Sequence, residues 1–156
     1  MTTCVPTKIA IQAEPFDSEA EIARIAGGRA DVGAVVTFTG LTRDEDGKLS
    51  ALELEHYPGM AEEEIGRVAE KANERWPLQG ITVIHRHGKL APGDPIVLVV
   101  TASAHRAAAF EAAEFLMDYL KTRAPFWKKE HHLDGTEGDW VEAKDADDSA
   151  AARWEA

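Results

Sequence analysis

Two apolar runs, ITVIHRHG and IVLVVTA, flank APGDP, and the second leads almost directly into the longest helical periodicity in the chain. Pro92-Gly93 is a turn pair, so the two runs are read as strands joined by a short reversal. The periodicity extends from about Ala104 to Thr122, with Phe110, Ala113, Met117 and Leu120 on one apolar stripe. Ser103 stands where it could cap this helix, and Pro125, which disfavours a helical Ala124, marks its end. Apolar strands and a long amphipathic helix must bury their faces on one another, which limits the chain to a layered fold.

The remaining segments supply more of both kinds of element. KIAIQAE alternates like a strand, and Asp17 or Ser18 caps a short helix through about Ala26, ended by Gly27-Gly28. GAVVTFTG and ALELEHY are β-rich, and Asp46-Gly47 between them predicts a hairpin. Ala61 to Trp76 carries Ile65, Val68, Ala69, Ala72 and Trp76 at helical spacing before Pro77. A last strand is expected around Trp140 to Ala143, and DADDSAAARWEA could form a short capped helix. The class is α+β, with a mixed, mainly antiparallel sheet, as one domain over residues 1–145 followed by an acidic tail over 146–156.

A length of 156 residues, 44% of them apolar, suffices for one core. The N-terminus MTTCVPTKIAIQAE has neither the basic region nor the long apolar run of a secretory signal. No stretch approaches the ~20 apolar residues of a membrane span, so a cytoplasmic location is expected. Cys4 is the one cysteine. It can form no intrachain disulfide, and any sulfur chemistry here would draw its sulfur from elsewhere.

The formal net charge of -11 argues against general nucleic-acid binding. Yet Tyr119 to Lys129 holds Lys121, Arg123, Lys128 and Lys129 and no acid, which is compatible with a local anion site. Gathered together, these cations would depress one another's pKa values, and a lysine so perturbed can act as base, proton donor or nucleophile. Phe126 and Trp127 could fix this segment to the core or offer a face to a flat ring.

The Ser103-Ala104-His105-Arg106 segment lies where strand passes into helix, so free N–H groups and two cationic-capable side chains coincide in a way that suits a phosphate. Arg106 could equally pair with a nearby acid. Arg43, in the loop after GAVVTFTG, is either an anion contact or a solvated partner of Asp44, Glu45 and Asp46. His85 and His87 share a strand face and His131-His132 are adjacent, but neither pair has a third ligand at a recognisable spacing, so no metal is expected. GxxxxGK, GxSxG, GxGxxG and CxxC are all absent. Arg106 and Lys121 are separated by about 22 Å of continuous helix. Either there are two sites, or a second copy of the chain completes one.

TFTGLTR (37–43), LELEHYPGM (52–60), RWPL with VIHRHGKLAPGD (75–94), SAHR (103–106), FEAAEFLMDYLKTRAPFWKKE (110–130) and WVEAK (140–144) together resemble the large-subunit family of molybdopterin synthase. The resemblance runs from about Gly33 to Trp154. It implies an α/β hammerhead fold and a homodimer carrying one small ubiquitin-like subunit at each end, as a heterotetramer. It also implies sulfur transfer from that subunit's C-terminal thiocarboxylate to cyclic pyranopterin monophosphate, giving the molybdopterin dithiolene, with no permanently bound cofactor.

By the same resemblance, Lys121 and Lys128 are the catalytic lysines, Lys121 beside the incoming tail. Arg43, His105 and Arg106 bind phosphate and pterin, the last two from the neighbouring protomer. Leu41 and Thr42 line the pocket largely through backbone, Lys129 and Glu130 continue its wall, and Phe38 and Met117 pack beneath. Family members often carry a basic residue at the Leu41 position and arginine at Lys144, so Lys144 would replace the charge alone. The rival reading is a noncatalytic pterin-phosphate carrier using Arg43, His105 and Arg106; a third is an adaptor that binds an extended protein tail.

Overall fold

The computed structural model describes residues 6–44, 46–123 and 126–141, together with Ala152 and Trp154. Within these, ten elements follow one another: β1 (Thr7–Gln12), α1 (Ser18–Ala26), β2 (Ala34–Leu41), β3 (Leu49–His56), α2 (Met60–Arg75), β4 (Leu78–Arg86), β5 (Gly88–Leu90), β6 (Pro95–Ser103), α3 (Arg106–Arg123) and β7 (Phe126–His132). They form an α+β fold with two sheets. The larger has the order β1-β4-β6-β2 and the smaller β5-β3-β7. β1 runs parallel to β4, and the other four ladders are antiparallel.

The larger sheet is covered on both faces, which explains why β4 and β6 read as continuous apolar runs. Ile81, Val83, Val97 and Val99 point to one side and meet Ile65, Val68, Ala69 and Ala72 of α2 and Ala112, Phe115, Leu116 and Leu120 of α3. Ile84, Leu98, Val100 and Ala102 point to the other and meet Ile25 of α1. That helix lies so close that a Cβ on Gly80 would sit 2.5 Å from Ile25 Cγ2, so only glycine fits there. Asp17 caps α1 as expected, accepting a hydrogen bond from the Ala20 N–H at 3.2 Å. On the same face, Arg86 donates to the carbonyls of Ala13 and Pro95, bracing the ends of three elements with a buried guanidinium.

Four expectations are corrected. β2 and β3 are not a hairpin: β2 joins β6 in the larger sheet while β3 joins β5 and β7 in the smaller. The turn at Gly47 (φ 68°) is present, with Asp44 accepting from the Lys48 and Leu49 N–H groups, but a turn reverses the chain without selecting a partner. Phe110 is 60% exposed, and the buried face of α3 runs instead through Ala109, Ala112, Phe115, Leu116 and Tyr119. Ser103 does not cap α3, because its hydroxyl donates to the Pro77 carbonyl at 2.9 Å and the helix begins at Arg106. The last strand is β7, inside the basic stretch, and Val141 makes only an isolated bridge to Lys128. Cys4, Pro125, Ala143, Lys144, the 145/146 boundary and the proposed tail helix lie outside the described residues. Trp154 is described, and it packs edge-on against Trp76 and Phe115 while its indole N–H donates to Asp118.

Candidate active site

The register of the larger sheet decides which sequence-predicted residues meet. Val97 in β6 lies opposite both Gly40 of β2 and His85 of β4, while Ser103 at the far end lies opposite Ala34 and Leu78. The Leu41–Arg43 loop therefore leaves the sheet at the His85 end, with Gly40 and His85 about 10 Å apart across three strands. α3 starts beside Ser103 and returns along the sheet, its Ala109 carbonyl accepting from the Thr101 hydroxyl at 2.7 Å. Its last turn, with Lys121, comes back to His85.

The smaller sheet brings the second lysine. β4 leaves the larger sheet at Arg86 and enters the smaller as β5 through Gly88, whose φ of 91° suits glycine alone at this crossing. β7 then pairs with β3, with Phe126 opposite His56, Lys128 opposite Leu54 and Glu130 opposite Leu52. Directly opposed residues share a face, so Phe126, Lys128 and Glu130 project to one side and Trp127, Lys129 and His131 to the other. Phe126 stacks on the His85 ring at 3.8 Å between centroids and 16° between planes. This contact joins the two sheets, and the charges of both Lys121 and Lys128 bear on the ring at that junction.

His85 records that convergence electrostatically. Burial pushes its pKa down to about 4; a hydrogen bond to the Arg86 carbonyl opposes this, and the charges of Lys121, Lys128 and His56 add to the fall. A carbonyl can only accept, so Nδ1, 2.8 Å from Arg86 O, carries the proton of the neutral ring. His56 is also held below its usual pKa, by burial and by neighbouring His87 at 4.7 Å, while Glu62 pulls the other way. Among the described residues no cluster of three or more His, Cys, Asp or Glu side chains could hold a metal.

The other candidates take distinct positions. Thr42 is buried, with its N–H donating to Asp94 O and its carbonyl accepting from Gly93 N–H. Its hydroxyl finds no hydrogen-bond partner in the described structure. Leu41 and Arg43 are exposed beside it, Phe38 is exposed on the edge strand β2, and Met117 packs half-buried against the core. Lys129 faces away from Lys128: its ammonium lies 3.0 Å from Glu137 and over the Trp140 ring, and that carboxylate holds its pKa up. Glu130 is exposed, 3.2 Å from His132 Nε2. His105 and Arg106 are exposed at the start of α3, about 22 Å of helix from Lys121 in its last turn. Within one chain they do not join the lysines.

The basic segment Phe126–His132 forms strand β7. Its residues show no alternation of apolar and polar types, so nothing in the hydrophobic pattern marks the strand. His85 is not a metal ligand candidate by spacing, yet its position carries a signal of its own. Its place in the row Ile81, Val83, His85, where a core residue would otherwise stand, is the sequence signal for a polar group aimed at the junction.

A lysine pair around a neutral histidine, with an arginine loop at the same end, is an arrangement for handling anions and moving protons. The model of the family described as MoaE protein matches residues 11–123, and the chain belongs to that family. The molybdopterin synthase catalytic subunit of Mesorhizobium japonicum is 70% identical over 154 residues, covering 99% of this chain and 97% of that one. The solved molybdopterin biosynthesis MoaE protein of Burkholderia ambifaria superposes with a TM-score of 0.82 at 46% identity, covering 96% of this chain and 99% of that one. A Helicobacter pylori structure, a complex of subunits 1 and 2 of molybdopterin-converting factor, is similar in fold at a TM-score of 0.69 and 22% identity, covering 89% of this chain and 90% of that one. No helix among the described residues is long and apolar enough to cross a membrane.

Proposed function

We propose that the chain is the catalytic subunit of a molybdopterin synthase, transferring sulfur from the C-terminal thiocarboxylate of a small ubiquitin-like partner to cyclic pyranopterin monophosphate. What supports this is that Lys121 of α3 and Lys128 of β7 both bear electrostatically on His85, whose stack on Phe126 joins the two sheets, in a chain whose relatives bear that enzyme's name.

In each of two rounds the thiocarboxylate sulfur bonds to an oxygen-bearing carbon of the pterin side chain, and the partner's acyl group is left on sulfur. The carbon–oxygen bond there breaks, its oxygen leaving protonated as water or remaining on the phosphate. Water adds to the acyl carbon, the carbon–sulfur bond breaks, and the tail departs as a carboxylate while sulfur stays on the pterin. The tetrahedral adduct carries an oxyanion, and a lysine ammonium beside it lowers that barrier. A second lysine delivers or removes the proton each addition requires. Arg43, with Leu41 and Thr42, faces the phosphate, and Lys129 and Glu130 flank the same strand. His105 and Arg106 reach a site only from a neighbouring copy, because α3 holds them about 22 Å from their own Lys121. We therefore assign a homodimer with a small subunit at each end and no resident cofactor.

The test is conversion of cyclic pyranopterin monophosphate to molybdopterin by the purified chain with a thiocarboxylated partner. Wild type should yield product, and Lys121→Ala and Lys128→Ala should each lose at least about 100-fold in rate. A folded wild type that binds both components without turnover would be a carrier.

A further inference from the structure

We propose that Trp154 is a positioning residue for the two lysines: seated between α2 and α3, it ties the C-terminal end of the chain to α3 one turn before Lys121, while Val141 ties the same stretch of chain to Lys128. The inference rests on the function proposed above and extends it to side chains outside the residues that the family resemblance assigns.

Trp154 is held by three kinds of contact at once. Its ring meets Trp76 edge-on at 5.8 Å and Phe115 at 5.6 Å between centroids. The Arg75 guanidinium lies 5.2, 5.3 and 5.5 Å from the ring centroids of Trp76, Phe115 and Trp154, and it donates to the Trp154 carbonyl at 2.7 Å. The indole N–H donates to the Asp118 carboxylate at 2.6 Å. Ring packing alone would let the indole slide or turn over; bonds to one carboxylate and one guanidinium fix it in a single place. On the same side of α3 the Trp76 indole N–H donates to Glu111 at 2.7 Å, so two tryptophans grip the helix on either side of Phe115.

The second tie is on β7. Lys128 N–H donates to the Val141 carbonyl at 3.0 Å, and Val141 N–H donates to the Lys128 carbonyl at 2.8 Å. α3 and β7 are consecutive, so both lysines lie on the arc from Asp118 to Lys128, and that arc is tied at its two ends to Trp154 and Val141, 13 positions apart in the chain. Side chains three apart on a helix are neighbours, so holding Asp118 holds the turn from which Lys121 projects. An untied helix end frays, and an ammonium on a flexible four-carbon stem moves with it. A misplacement of about 1 Å from a change far from the chemistry can cost a rate as much as about 100-fold.

The experiment assays Trp154→Ala, Val141→Pro and the double variant with the thiocarboxylated partner, and follows amide hydrogen exchange in each. Val141→Pro deletes the N–H that bonds the Lys128 carbonyl. Each single variant should lower kcat about tenfold with KM for the pterin within about twofold. Either change unties the same arc, so the double variant should lose no more than about threefold beyond the worse single, whereas independent defects would multiply to about 100-fold. In Trp154→Ala the amides of Tyr119 to Arg123 and of Lys128 should exchange at least about tenfold faster, while those of Ile22 to Ala26, in α1 on the other face of the larger sheet, should not change. A Trp154→Ala kcat within about twofold of wild type, losses that multiply, or faster exchange spread evenly over the chain would overturn the proposal.

Should Trp154→Ala not fold, Trp154→Phe decides, since it keeps a ring and loses the N–H. A kcat about threefold lower, with faster exchange from Tyr119 to Arg123, is expected, and a wild-type value of either overturns the proposal. If wild type makes no product, the proposed function fails, while the exchange pattern still answers for Trp154.

Discussion

Strands β6 and β7 stand at the two ends of α3 yet have opposite surroundings. In β6 seven consecutive residues, Val97 to Ser103, are buried; in β7 none of Phe126 to His132 is fully buried. The first lies between helices that cover both of its faces, and the second is an edge of a three-stranded sheet. An ammonium group loses several kcal/mol when taken out of water without a partner, so lysines that must stay charged cannot sit on a strand like β6. On β7 Lys128 projects on the same face as Phe126 and is half-buried. A dry sheet supplies rigidity, a half-wet one supplies charge, and the Phe126–His85 stack fastens one to the other.

The contrast breaks most severely on the dry side. Phe115 is 1% exposed and packs against Trp76, Tyr119 and Trp154, so Phe115→Ala should cost about 3–5 kcal/mol in urea unfolding. A loss below about 1 kcal/mol would mean that this cluster is not the core.

Acid sharpens the contrast at the junction. Above the ordinary histidine pKa, His85 is neutral whether folded or unfolded and adds no pH dependence. As pH falls from about 6.5 towards 4, the unfolded chain takes up the proton and the folded chain does not, so stability drops. At 1.36 kcal/mol per unit this loss is at most about 3 kcal/mol. His85→Phe should flatten the stability curve across that window, and an unchanged slope would show that the ring is not held neutral.

The smallest effect is expected on the far face of β7. Lys129 is held by Glu137 and lies over Trp140, so Lys129→Ala should leave product formation within about threefold, whereas Lys128→Ala, one residue away, should lose most of it. Equal losses at both would mean that the strand's two faces do not separate the roles assigned to them.

Much of this arrangement was legible beforehand. α1 and α2 were placed to within about a residue, because Asp17 and Pro77 act on their nearest neighbours. The gathering of Lys121 and Lys128 was visible as a charge run against an acidic background. The pairing of β2 was not, since a Asp46-Gly47 turn is local while the choice of β6 depends on residues more than fifty positions away. Phe110 fits a helical stripe by spacing, and only the path of α3 over the sheet shows that Ala109 and Ala112 are the buried side.

By itself the sequence determined the three helices and most of the strands, though not β7, together with the α+β class and the identity of the cationic residues, because caps, turns and periodicity act over a few residues. The tertiary structure alone decided that the chain passes from one sheet to the other between β4 and β5, that one buried histidine feels the charges of two lysines 7 positions apart in the chain, and that His105 and Arg106 lie at the far end of α3. Those outcomes depend on register and packing between distant segments, where the free energy comes from burying shared surface.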